Sequence, residues 1–124
     1  MRVLLVDDEV DFVKTLAQRL EMRQLKTDAV HSGEEAVSFA ERQAPDVVVL
    51  DLKMPGMDGI ETLKMIKKTC PDTQVIILSA HGSERDKESA ECFGAYGFLK
   101  KPVEIEALME TIKSAYRKKC EMTL

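Results

Sequence analysis

The sequence predicts an α/β fold in which a five-stranded parallel sheet carries helices on both faces. Two observations lead there. Val3-Leu4-Leu5-Val6, Val47-Val48-Val49-Leu50 and Val75-Ile76-Ile77-Leu78 are strand-length apolar runs without polar alternation, the pattern of strands buried on both sides. Between them, apolar residues recur at intervals of three and four, the period of amphipathic helices. Strands that alternate with helices form parallel sheets, and right-handed crossovers bring every strand's carboxyl end to one rim.

In chain order, the first run ends in Asp7, Asp8 and Glu9, and Val13, Leu16, Ala17 and Leu20 then mark a helix over about Val10 to Met22. Leu25 to Val30 is a weaker strand, expected at the sheet edge. Ser32 and Glu35 are spaced as a reciprocal helix cap, Ala36, Val37 and Ala40 follow on one side of a second helix, and Ala44-Pro45 ends it. The Val47–Leu50 run meets Asp51 and then the turn Pro55-Gly56, so no helix begins before Asp58, which caps a third helix. Its expected stripe is Ile60, Leu63 and Ile66 or Met65, and it stops before Pro71. The fourth strand ends in Ser79. Ser83 to Phe93 is nearly all polar, with Ala90 and Phe93 as its apolar contacts, so a helix there has little to hold it down. Tyr96 to Leu99 is a short strand leading into Lys100, Lys101 and Pro102. The final helix, about Val103 to Lys119, has the clearest stripe, Ile105, Leu108, Ile112 and Ala115, with basic residues at its negative end.

At 124 residues the sequence reads as a single domain, residues 1–124. Net charge is -4 with acids and bases mixed, which points away from a nucleic-acid or anionic-membrane surface. The amino terminus has too short an apolar run for a signal peptide or a membrane span, so a cytoplasmic location is expected. Cys70, Cys92 and Cys120 are odd in number, far apart and include no Cys-x-x-Cys pair, which fits reduced thiols better than a disulfide framework or a zinc site.

Four of the five strands deliver a reactive side chain to the common rim: Asp7 and Asp8, Asp51, Ser79, and Lys101. Carboxylates within about 5 Å of one another repel by roughly 3 kcal/mol per pair at an effective dielectric near 20, a large fraction of a small domain's stability. A divalent cation offsets this. With no His or Cys close in sequence, an all-oxygen site of carboxylates, a loop carbonyl and water suits Mg²⁺ or Mn²⁺. Add a nucleophilic carboxylate, a lysine ammonium and a hydroxyl, and the set matches phosphoryl transfer onto an aspartate.

In these residues the chain resembles the receiver domain of two-component response regulators, chemotaxis receivers among them. The likeness covers essentially the whole sequence: VDDE after the first strand, LDLKMPGMDG after the third, SAHG after the fourth and FLKKP after the fifth. It implies a flavodoxin-like strand order 2-1-3-4-5, with Asp51 as phosphoacceptor and Asp7, Asp8, Asp51 and the Lys53 main-chain carbonyl around Mg²⁺ or Mn²⁺. Ser79 is the implied hydroxyl that meets the phosphoryl group, Lys101 the lysine that pairs with it, and Phe98 the switch aromatic; the Lys101-Pro102 peptide is implied to be cis. His81 and Lys53 stand where the family flanks the phosphoryl group, although an exposed loop histidine is an equal reading of His81, and His31 reads as surface.

Such a domain is a switch that catalyses its own phosphorylation and dephosphorylation rather than an enzyme with a separate substrate. The partners implied are a histidine kinase or histidine phosphotransfer protein and an effector or attached output, reached through the fourth helix, fifth strand and fifth helix. A phosphorylation-dependent dimer and the absence of direct nucleic-acid or membrane contact complete the expectation. A small Mg²⁺-dependent aspartyl phosphatase is a rival, but those enzymes need Asp-x-Asp after the first strand, and here the acids are adjacent. An interaction module that keeps the fold without phosphorylation is a second rival, disfavoured by the intact acid, hydroxyl and lysine set. The sequence leaves open whether the receiver stands alone or is part of a longer regulator.

Overall fold

The computed structural model of the chain describes residues 1–122. Strands and helices alternate: β1 (Arg2–Val6), α1 (Val10–Met22), β2 (Lys26–Val30), α2 (Gly33–Arg42), β3 (Val47–Leu50), α3 (Gly59–Thr69), β4 (Gln74–Ser79), α4 (Glu84–Cys92), β5 (Gly97–Lys100) and α5 (Ile105–Met122). The strands form one parallel sheet in the order β2-β1-β3-β4-β5, the flavodoxin-like arrangement, with β2 at the edge.

The apolar runs are central because both of their faces are covered. Val3, Leu5, Val47, Val49, Ile76 and Leu78 pack beneath α1 and α5, against Leu16, Leu20, Leu108 and Ile112. Their alternates, Leu4, Val6, Val48, Leu50, Val75 and Ile77, pack on the other side against Ala36, Ala40, Leu63, Ile66 and Ala90. A residue's parity in its strand therefore decides which side of the sheet it serves.

Element ends differ from the expected ones for local reasons. Gln24, at φ 67°, closes α1 and leaves Leu25 a buried loop residue ahead of β2. The Lys101-Pro102 peptide is cis, as the resemblance implied, and α5 starts at Ile105, not Val103, and runs on to Met122. The stripe of α3 is also rotated from the expected one. Leu63 and Ile66 are buried, but Ile60 is only partly so and Met65 is exposed, while Gly59 and Thr62 complete the inner face. Thr62 turns inward because its hydroxyl donates to the Asp58 carbonyl at 2.8 Å and lies against Gly33 at the start of α2, where a side chain would collide with it. Ser32 accepts from the Glu35 N–H and Asp58 from the Glu61 N–H, as predicted, but the Ser32–Glu35 cap is not reciprocal in the expected way: the Glu35 carboxylate takes the Ser32 hydroxyl at 3.2 Å in place of the Ser32 N–H.

Candidate functional site at the carboxyl rim of the sheet

β1 and β3 are neighbours paired Val6 to Leu50, so the residues that follow them, Asp7 and Asp51, leave the sheet side by side. The Asp51 N–H continues the ladder to the Val6 carbonyl at 2.9 Å. Both carboxylates turn to the side of α1, lining a small cavity with Leu5, Phe12, Val13, Leu16, Val49 and Leu78. Asp7 and Asp51 are buried and Asp8 is exposed, yet all three present ligand atoms within 4.8 Å of one another.

Lys101 completes this group. Lys100 pairs with Ser79 and points into solvent, so parity sends Lys101 to the acidic side. Its ammonium donates to Asp7 Oδ2 at 2.6 Å and to Glu9 Oε1 at 3.0 Å, and lies 4.3 Å from the centroid of the Phe12 ring. Burial pushes the Asp7 carboxyl up; the Lys101 hydrogen bond and the Glu9 N–H pull it back and the Asp51 charge raises it further, leaving it above the usual aspartate value. Burial pulls Lys101 down, but its bonds to Asp7 and Glu9 outweigh this and hold the ammonium above the ordinary lysine value. Three carboxylates are a hard oxygen donor set, which suits a divalent cation such as Mg²⁺.

The loop after Asp51 is held close by Gly59. Its N–H donates to the Leu52 carbonyl at 2.8 Å, and a Cβ there would come within 2.6 Å of Leu52 Cα and 2.8 Å of its carbonyl oxygen. Only glycine lets α3 begin against that backbone. Lys53, in the same loop, is exposed and lies 3.7 Å from Asp86 of α4.

Ser79 belongs to the other side of the sheet. It shares the face of Ile77, two residues earlier, and its side chain is buried, the hydroxyl donating to the His81 carbonyl and accepting from the His81 N–H, each at 3.3 Å. Phe98 packs on the same side, in register with Ile77, and its ring lies so close over Gly82 that any side chain there would strike it. Thus Asp7, Asp8, Asp51 and Lys101 meet as one cluster, while Ser79 and Phe98 stand together across the strand ends. His81 is exposed.

Sequence reasoning missed two features. Glu9 was only the third acid of a run, whereas here it is the second anchor of Lys101; the signal was its place directly after Asp7-Asp8 at the head of a helix. His31 is not a free surface residue, for its Nδ1 donates to the Asp7 carbonyl at 3.2 Å and braces the backbone of the acidic turn.

The same architecture occurs in solved structures of other proteins. The receiver domain protein of Methanospirillum hungatei superposes with a TM-score of 0.94 at 25% identity, covering 98% of this chain and 97% of that one. The receiver domain of a Luxo repressor protein from Vibrio parahaemolyticus gives 0.91 at 31% identity, over 98% and 94% of the two chains. The transcriptional regulatory protein GlrR of Escherichia coli is 37% identical over 98% of this chain but only 27% of its own length. The heme response regulator HssR of Staphylococcus haemolyticus is 33% identical over 95% of this chain and 52% of its own. The chain therefore spans about a quarter to a half of these two curated relatives. Residues 3–113 match the family model of the response regulator receiver domain, and with that match the chain belongs to the receiver domains of two-component response regulators.

Proposed function

We propose that Asp51 accepts a phosphoryl group from a phosphohistidine of a histidine kinase or histidine phosphotransfer protein, and that residues 1–124 act as one receiver unit in the cytoplasm. In the transfer the phosphorus–nitrogen bond breaks, a bond from phosphorus to an Asp51 carboxylate oxygen forms, and the departing imidazole takes up a proton. Attack of water on phosphorus later restores the carboxylate and releases phosphate. The observation that carries this reading is the meeting of Asp7, Asp8 and Asp51 within 4.8 Å beside the Lys101 ammonium.

Asp7, Asp8, Asp51 and the Lys53 carbonyl would hold Mg²⁺ or Mn²⁺, which when bound supplies positive charge to both the carboxylates and the phosphoryl oxygens. The chain's own residues do the rest. Lys101 offers a mobile positive charge to a phosphoryl oxygen, and the short Gly59 approach fixes the Asp51 loop so that the nucleophile is presented at one place. Ser79 can exchange its His81 bonds for a bond to the phosphoryl group, an interaction that exists only in the phosphorylated state and so biases a second conformation. Its neighbour Phe98 carries that change to the face of α4, β5 and α5, where an effector, an attached output domain or a second copy would read it.

The test is labelling by acetyl phosphate, read by mass spectrometry of the intact chain and its peptides. Asp51 is expected to be the sole modified residue, with label abolished in Asp51→Ala and in excess chelator. Full labelling under either condition would overturn the assignment.

A further inference from the structure

Glu9 occupies the position just before α1, where a side chain ordinarily accepts a bond from the first-turn amides. It makes no such bond. Its carboxylate instead reaches Lys101, which joins positions 92 residues apart, while its N–H donates to Asp7 Oδ1 at 2.9 Å. The lysine it holds is only 10% exposed and is surrounded: Asp7 and Glu9 take two of its donors and the Phe12 ring lies against it. Asp51, although near enough to be felt electrostatically, makes no hydrogen bond with it among the described residues.

We propose that Glu9 is a positioning residue that keeps Lys101 on the Asp7 side of the rim and off Asp51, and thereby sets both cation affinity and the persistence of the phosphorylated state. This rests on Asp51 being the phosphoacceptor. While Lys101 is bound to Glu9, the Asp51 carboxylate is left to a cation and an incoming phosphodonor. Once Asp51 carries a phosphoryl group, the same bond works the other way, because Lys101 must loosen it to reach a phosphoryl oxygen. Glu9 thus favours loading and disfavours retention.

Glu9→Gln keeps the shape and removes the charge. Two effects in opposite directions are expected: Mg²⁺ binds the unphosphorylated protein about three- to tenfold more weakly, and the aspartyl phosphate at saturating Mg²⁺ lasts about three- to tenfold longer, the scale of one partly exposed charge-assisted bond. A merely structural role would not separate the two. Lost charge alone could weaken Mg²⁺ binding, so the variant is repeated on Lys101→Met, where the lifetime effect must vanish if Glu9 acts through the lysine. An unchanged lifetime in Glu9→Gln, or an equal lengthening without Lys101, overturns the proposal. Should Lys101→Met not fold, the Lys101 ammonium signal in NMR of the Glu9→Gln protein decides alone: a shift without Mg²⁺ or phosphodonor is expected, and no shift overturns the proposal. That signal needs no phosphorylation, so failure to label Asp51 would remove the phosphoacceptor reading while still deciding where Glu9 holds the lysine.

Discussion

The helices α4 and α5 flank β5 and belong to the same candidate output face, yet they are held in different ways. α5 has 18 residues and buries Leu108, Met109, Ile112 and Ala115, and the Lys119 ammonium ties its last turn to Asp46 at 2.6 Å. α4 has 9 residues and buries only Ala90. Its remaining attachments are at its ends: the Ser83 and Asp86 capping box, the Lys53 to Asp86 ion pair, and Phe93 with the Lys64 ammonium 4.1 Å from its ring centroid. A helix fixed by its face cannot move without exposing core, whereas one fixed by its ends moves at the cost of a few polar contacts. The difference makes α4 the helix of the two that moves at lower cost, which is what the proposed switch through Ser79 and Phe98 requires.

The largest effect should separate the two helices directly. Ile112→Ala is expected to lower global stability by about 3 to 4 kcal/mol in urea melts, the range for a large aliphatic side chain removed from a closed core. Ala90→Gly in α4 should cost about 1 to 2 kcal/mol, mostly helix propensity with one lost methyl. Equal losses would break the comparison.

Smaller in energy but more local is Ser83→Ala. Losing the capping box should cost about 1 kcal/mol. Hydrogen exchange should show the lost protection concentrated in the amides of Glu84–Cys92, with α5 unaffected; protection falling equally in both helices would mean that α4 opens only with the whole domain.

The smallest effect concerns the Lys119–Asp46 pair that ties down the last turn of α5. Burial raises the Asp46 carboxyl, but the Lys119 ammonium and the Arg2 N–H more than offset it, so Asp46 lies below its ordinary value. A carboxylate depressed in the folded state contributes fully above its unfolded value of about 3.9 and loses that contribution as pH falls through the folded one. Lys119 is raised, chiefly by its hydrogen bond to Asp46, so its share is full at neutral pH and lost only as pH rises past about 10.4. Asp46→Asn should therefore lower stability at neutral pH by up to about 1 kcal/mol, since the pair is part-exposed, and the gap from the parent should close below about pH 4. A gap that persists at low pH would assign the effect to packing.

Much of this molecule was legible in the sequence because its determinants are local. Four apolar residues in a row bounded by turn signals read as a strand covered on both faces, strands of a parallel sheet end on one rim, and so Asp7, Asp51, Ser79 and Lys101 could be assigned to that rim from the sequence. The polarity of Ser83 to Phe93 likewise announced a thinly anchored helix. Three-dimensional packing alone decided which side of the sheet each rim residue serves and which partner it takes. Strand parity puts Lys101 with Asp7 and Ser79 with Phe98, and an ion pair spanning 94 positions depends on the twist and stacking of strands that are not neighbours in the sheet. The place of Glu9 directly after Asp7-Asp8 hinted at the site but not at its partner, since an acid ahead of a helix ordinarily serves the helix dipole. What draws it to Lys101 instead is a largely buried ammonium delivered from 92 positions away, whose donors Asp7 alone does not fill.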